Sequence, residues 1–237
     1  MKNLKEYLFK DQINEGFKLG KNKVKKEDDY FVDLDLPSGA LWCKYNVGAT
    51  CESDAKSWYG NYFTWGDIEP ANNKMCNWEN YKYVNGSKKT LTKYCPDDKI
   101  DYWCDKGNPD NKLVLDKEDD MVNANMGYDW KMPTNEQLQE LIDNTTSEWV
   151  KNYNDIQGLN GRLFISNTND NELFMPAAGY QRGSVVYDVG SDIYVWSSML
   201  YVDNPSYAYI LSADMYRTYG YSYDFRYHGF SIRGIIN

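Results

Sequence analysis

One histidine, no CxxC pair and no cysteine beyond Cys104 leave this 237-residue chain few ways to hold a transition metal. A structural zinc site would need an all-cysteine set drawn from the irregularly spaced positions 43, 51, 76, 95 and 104. No apolar run approaches the 18 residues of a membrane-spanning helix, so no membrane insertion is expected. No G-x-S-x-G, no glycine-rich phosphate loop and no H-E-x-x-H is present, which removes the commonest hydrolase, nucleotide and metalloprotease signatures. The lone histidine, His228, sits among tyrosines and reads as a surface hydrogen-bonder rather than a general base. The sequence therefore points away from an enzyme. The pairs Asp97-Asp98 and Asp203-Asn204 could supply oxygen ligands for calcium, but neither has EF-hand spacing, and no cofactor is expected. The acidic run Glu118-Asp119-Asp120 reads as a solvated stretch of helix.

What is present is aromatic and acidic. Aromatic residues make up 16%, too many for a largely disordered chain. The net charge of −9 argues against a phosphate-binding surface, so no nucleic-acid partner is expected. The charge is uneven. Residues 1–26 carry eight lysines against Glu6, Asp11 and Glu15, a net of +5, which leaves about −14 for the remainder. Leu4, Leu8, Phe9, Ile13 and Phe17 recur at helical spacing there. Residues 1–27 thus read as a basic amphipathic segment, a tether or an assembly or processing element. They lack an apolar h-region, so Sec export is not expected. An odd cysteine count without such a leader leads us to expect free thiols.

Residues 28–237 read as one α+β domain of short strands, two helices and long loops. Strands are expected at 30–34 and 40–45 around the turn Pro37-Ser-Gly39, with another extended aromatic run at 57–65. Residues 76–120 are poor in aliphatics and read as long loops, with short strands near 81–83. Thr134 and Gln137 form a capping box ahead of Leu138, Leu141 and Ile142, which predicts a helix. A second helix is expected over roughly 117–125, ending near Gly127. Further strands are expected at 161–165, 172–175, 193–197, 207–211 and 230–235.

Eleven of the 22 tyrosines fall in residues 180–237, a segment with no lysine, no glutamate and only two of the 24 asparagines. In Tyr219-Gly-Tyr-Ser-Tyr-Asp-Phe-Arg-Tyr227 every second residue is aromatic, so an extended chain would align five rings on one face. Such a face is either a buried sheet surface or a binding surface. Tyrosine hydroxyls need partners when buried, and tyrosine interleaved with Ser, Gly and Asp is the composition of antibody-like binding loops. The binding surface is the better reading, with Phe225 the member expected to point inward.

Several strings together resemble a known family: residues 30–43 (YFVDLDLPSGALWC), 46–50 (NVGAT), 62–66 (YFTWG), 91–95 (LTKYC), 130–134 (WKMPT), 176–180 (PAAGY), 196–198 (WSS) and 229–233 (GFSIR). In this order they resemble the Fibrobacter succinogenes major paralogous domain of gut Bacteroidetes and their phages. That resemblance implies a C-type-lectin-like fold of the formylglycine-generating-enzyme-like branch. The late cysteines of that enzyme branch and the sugar-binding calcium motifs of true C-type lectins are missing here, so neither activity carries over. The chain looks most like the variable proteins of diversity-generating retroelements, whose last segment is rewritten at Asn (AAY) codons. Such rewriting can create Tyr, Asp, Ser, His, Gly, Val or Leu but never Lys, Glu, Gln, Met or Trp, which fits the loss of Asn, the excess of Tyr and the lack of Lys and Glu after residue 180. It implies a variable region at 180–228, fixed positions at Trp196, Met199 and Met215, and a fixed C-terminal strand at 229–237.

The expectation is a receptor-binding or adhesion protein that recognises a protein or glycan on a cell surface. It would be displayed on a virion or cell surface and made in the bacterial cytoplasm, with residues 1–27 available for virion or fibre attachment. The alternative is a structural virion or fibre component that uses the tyrosine face as a subunit interface. The candidate face comprises Tyr187, Asp188, Asp192, Tyr194, Tyr201, Tyr207, Tyr209, Tyr216, Tyr219, Tyr221, Tyr223, Asp224, Tyr227 and His228.

Overall fold

The chain alternates apolar residues early, and the alternation becomes the first sheet. Val32, Leu34 and Leu36 are buried between exposed Asp33, Asp35 and Pro37. Strand β1 (Phe31–Asp33) pairs with β2 (Leu41–Cys43) across a turn in which Gly39 takes φ +70° and its N–H reaches Leu36 O at 2.8 Å. The computed structural model describes residues 30–71, 74–99, 103–104, 109–127 and 129–237. The expected basic segment 1–27 lies outside them. β2 also pairs with the C-terminal β12 (Ile235–Ile236), which pairs with β3 (Trp130–Lys131), giving the order β1-β2-β12-β3. Regular strand at the C-terminus is shorter than the expected 230–235. Phe230 and Ser231 instead make isolated bridges to Phe63 and Val195.

Three more antiparallel sheets follow. β4 (Thr145–Val150), β5 (Gly161–Ser166) and β6 (Glu172–Pro176) form one. β7 (Tyr180–Arg182) and β8 (Val185–Tyr187) form a two-stranded ribbon. β9 (Ile193–Leu200), β10 (Tyr207–Ala213) and β11 (Thr218–Phe225) form the third, in the order β11-β10-β9. With three helices among the described residues, the architecture is α+β.

One of those helices was not expected. The run 57–65, read as extended, opens with the single turn α1 (Lys56–Tyr59). Asp54 Oδ1 accepts the Ser57 N–H at 3.1 Å, and Gly60 at φ +74° ends the turn before Phe63 pairs with Phe230. α2 (Met121–Met126) is shorter than the expected 117–125 because Asp120 is its N-cap, accepting from Val122 and Asn123. α3 (Asn135–Asp143) forms as the sequence dictates, with both halves of the Thr134/Gln137 capping box in place. Its Leu138 and Leu141 are fully buried in a cluster with Trp42, Phe164, Leu211 and Ala213.

Of the acidic run 118–120, Glu118 is exposed as expected but the two aspartates are not solvated. Asp119 and Asp120 are each 5% exposed. The second oxygen of Asp120 accepts from Met132 N at 2.8 Å, which ties α2 to β3. Asp119 accepts from Lys82 Nζ (2.9 Å), from Lys93 Nζ and from Tyr94 Oη (2.6 Å). Burial opposes its charge, but these donors prevail and hold the carboxyl far below the usual carboxylate range. A depressed carboxyl contributes stability that is full above the unfolded-state value of about 4 and is lost as pH falls toward the folded value. Urea unfolding at pH 7, 5 and 3 should therefore show a steeper loss of stability below about pH 4 for the native chain than for Asp119→Asn. Parallel curves for the two proteins would contradict this.

Among the described residues of 76–120 the chain is irregular, and the short strands expected near 81–83 do not form, leaving only isolated bridges such as Val84 to Leu91. Its cysteines are not all free. Cys95 and Cys104 form a disulfide with Cα atoms 6.0 Å apart, and Asp110 accepts the N–H groups of Tyr94 and Cys95. An odd total says only that at least one thiol stays outside a disulfide, and Cys43, Cys51 and Cys76 are not disulfide-bonded. Denatured protein should accordingly label at three thiols before reduction and five after. For a sequence separation of 9, loop-closure entropy puts the stabilisation at about 2.5 kcal/mol, to be read as the stability lost on reduction.

Candidate ligand-binding face

β10 presents Tyr207, Tyr209, Leu211 and Ala213 to one side. Leu211 and Ala213 are buried with α3, whereas Tyr207 and Tyr209 continue the same face and stay half-exposed. Opposite them on β11 stand Phe225 and Tyr223. Tyr201, just past β9, stacks on Tyr223 with centroids 4.0 Å apart and meets Tyr209 edge-on at 5.3 Å. Tyr207 meets Tyr223 edge-on at 5.4 Å, and Tyr221 meets Tyr209 at 6.5 Å. Five tyrosines from three segments thus share one surface.

β11 reaches this surface through a bulge. Between the pairs Ile210↔Ser222 and Ser212↔Tyr219, one β10 residue faces the two residues Gly220 and Tyr221. A Cβ on Gly220 would lie 2.1 Å from Gln139 Oε1, so glycine lets α3 approach the sheet. Tyr219, Tyr221 and Tyr223 remain 40%, 61% and 47% exposed. Desolvation raises the hydroxyls of Tyr207 and Tyr209, and desolvation with a bond to Asp203 pushes Tyr201 to about 12. These three rings are therefore neutral and able to donate as well as accept hydrogen bonds at physiological pH.

The expected alignment of five rings fails at its end. β11 stops at Phe225, and the chain turns so that His228 N–H reaches Phe225 O at 2.9 Å. Arg226 is drawn fully inside, where it donates to Tyr81 Oη, Tyr94 O, Pro205 O and Lys93 O. Phe225 is partly buried as expected, stacked on Tyr207 at 4.4 Å. Tyr227 and His228, read as surface residues, are 9% and 7% exposed. The Tyr227 ring packs on Trp78 at 4.9 Å, and His228 Nδ1 lies 2.9 Å from Asp224 Oδ1.

Around His228 a second group assembles. Its ring lies 5.3 Å from Tyr180, which in turn contacts Tyr187 at 5.5 Å and Tyr194 at 5.4 Å. The Asp188–Asp192 turn folds back over Gly179, whose N–H donates to Asp192 O at 2.9 Å. Gly179 has φ +64°, and a Cβ there would sit 1.9 Å from Tyr187 O. Tyr187 and Asp188 are exposed, and Asp192, Tyr194 and Asp224 half-buried. Tyr180 belongs to this group although the sequence did not single it out. Its place at the head of the tyrosine-rich segment was the available signal. Val185, Val186 and Val189 are exposed beside it, and Val186 and Val189 also border an open cavity of about 850 Å³ that reaches Tyr62 and Ser57.

Tyr216 and Tyr219 form a third group. Tyr216, 78% exposed, lies in the β10–β11 turn where Asp214 accepts the N–H groups of residues 216 and 217. Arg217 covers the Tyr219 ring at 5.3 Å. This end of the hairpin is opposite to the one that carries Tyr207 and Tyr209. The candidate residues therefore occupy two neighbouring patches, bridged by Phe225, Tyr227 and His228, and one separate tip.

Among the described residues, Asp116, Glu118 and Asp119 come close enough together to hold a metal ion. Lys93 already lies among them, paired with Asp116 at 2.6 Å and with Asp119, which makes this an ion-pair network. No protein-family model matches the chain, and no curated protein or solved structure matches it either.

Proposed function

We propose that the chain is a receptor-binding or adhesion protein that holds its ligand on the tyrosine surface of residues 180–228. The convergence of Tyr201, Tyr207, Tyr209, Tyr221 and Tyr223 on one accessible surface carries this reading. Tyrosine supplies rigid amphipathic contact area at low entropic cost, and Ser212 and Ser222, hydrogen-bonded at 2.9 Å, anchor the strands beneath.

A C-type-lectin-like fold is part of the same proposal. The strings that carry the family resemblance are scattered in sequence but adjacent in space. The strands at 31–33, 41–43 and 130–131 share one sheet with the C-terminal strand 235–236, and Phe63 bridges Phe230. Trp196 Nε1 donates to Phe63 O at 2.7 Å and Trp65 Nε1 to Ser197 O at 2.9 Å. A scaffold of this kind holds the tyrosine surface independently of what the exposed positions are. Retroelement diversification then accounts for the depletion of Asn, Lys and Glu. Of the three positions expected to be fixed, Trp196 is fully buried, Met199 is half-buried and Met215 is exposed at the hairpin tip.

Display on a cell or virion surface fits the Cys95–Cys104 disulfide, since such bonds persist in oxidising surroundings. Sequencing the parent locus tests the diversification. A reverse-transcriptase gene with a near-copy of residues 180–237, differing at adenines, is the expected result. A locus without either removes diversification from the account.

A further inference from the structure

The segment 180–237 holds five aspartates (188, 192, 203, 214 and 224) and four arginines (182, 217, 226 and 233), which in sequence nearly cancel. Folding separates them. Arg226 and Arg233 are 0% exposed, whereas none of the five aspartates is buried. Arg217, over the Tyr219 ring, and Arg182 stay exposed, so two accessible cations face the five aspartates. The accessible part of the segment is therefore distinctly acidic, with a field that favours a cationic partner.

Three of the aspartates lie around one aromatic wall. Asp188 and Asp192 belong to the turn folded over Gly179, and Asp224 approaches from the end of β11. Tyr180 and Tyr194 stand between them, and the carboxylates add to burial in raising both hydroxyls. Among the described residues no lysine or arginine makes an ion pair with Asp188, Asp192 or Asp224. His228 packs on Tyr180 and is more than nine-tenths buried. Its Nδ1 lies against Asp224, and its Nε2 is enclosed in the interior, so the ring serves the site as part of its wall. The site thus sets three carboxylates around a wall of rings, with Arg182 the nearby exposed cation, and its balance of charge is negative. Guanidinium is the complementary group, since it offers five N–H donors, accepts nothing and stacks on aromatic faces.

Resting on the recognition reading above, we infer that the site formed by Asp188, Asp192 and Asp224 on the Tyr180–Tyr194 wall takes an arginine or lysine side chain. The ligand is then a basic polypeptide segment. The exposed valines of β8 and the following turn offer apolar contact for the rest of such a segment, and the field of the three carboxylates favours a cationic ligand over a neutral one.

The test is the affinity of the full chain for an acetylated, amidated hexa-arginine peptide and for its hexacitrulline counterpart, which keeps the shape and loses the charge. Asp188→Asn/Asp192→Asn is compared with Glu148→Gln/Glu172→Gln, which removes the same charge elsewhere. Asparagine tolerates the positive φ of Asp188, so the first variant keeps the turn. The expected result is about ten-fold weaker arginine-peptide binding for the Asp188/Asp192 variant and less than about two-fold for the Glu148/Glu172 variant. The citrulline peptide should also bind about ten-fold more weakly to the native chain. Equal weakening by both variants, equal binding of both peptides, or no binding of hexa-arginine overturns the inference. A ligand that depends on Tyr209 and Tyr223 but is indifferent to Asp188 and Asp192 also overturns it, and leaves the recognition reading standing.

Discussion

Arg226→Ala lowers the stability of the fold by about 3–5 kcal/mol, which for a chain of this size is a fall in Tm on the order of 10 °C. The side chain is fully buried, and its nitrogens are the donors for Tyr81 Oη at 2.8 Å, Pro205 O at 2.9 Å, Lys93 O at 3.1 Å and Tyr94 O at 3.4 Å. The guanidinium also lies 4.8 Å from the centre of the Trp65 ring. Alanine leaves those acceptors unpaired and opens a cavity at the point where the 81–94 loop, Pro205 and the end of β11 meet. Lysine keeps the charge but cannot reach three directions from one nitrogen, so Arg226→Lys recovers only part of the loss. Thermal unfolding of the two variants beside the native chain measures both effects. A variant within about 1 kcal/mol of native would contradict this account of Arg226. The position lies inside the segment proposed to vary, so it must be held constant there for structural reasons.

The parts of this fold legible in the sequence are those whose causes are local. Thr134 and Gln137 are three residues apart, and the helix they announce begins where they place it. The strands at 161–166, 172–176 and 207–213 follow from short apolar or alternating runs. The misreadings share a cause, which is a partner distant in sequence. Asp119 looked solvated because its donors Lys82 and Lys93 lie 37 and 26 residues away. Cys95 and Cys104 are ordinary thiols in sequence until the loop between them closes. Tyr227 keeps the alternating pattern that starts at Tyr219, but the burial of Arg226 ends the strand before it and His228. Residues 57–60 resemble an extended aromatic run and fold as one helical turn through the Asp54–Ser57 contact. The tyrosine-rich surface itself was legible as composition. Its division into two patches and a remote tip was not, because that depends on the direction of the β10–β11 hairpin.

The second large effect belongs to that surface. Tyr209 and Tyr223 are directly paired across β10 and β11, and both touch Tyr201. Neither is buried, so replacing both with alanine costs little stability beyond the ring contacts, about 1–2 kcal/mol. If they are central contacts for a ligand, each removes hot-spot energy, and together they weaken binding by about 100-fold. Stability and affinity thus separate at these positions, in contrast to Arg226, where stability itself is lost.

The most direct test of a tyrosine recognition surface is the equilibrium affinity of the full chain for ligands recovered by panning it against a displayed random-peptide library and a glycan array. It is measured for the native protein, Tyr209→Ala/Tyr223→Ala and the Glu148→Gln/Glu172→Gln control. The predicted result is a loss of about 100-fold for the tyrosine variant, with the control within about two-fold of native. Ligands that bind all three proteins equally would contradict the central claim.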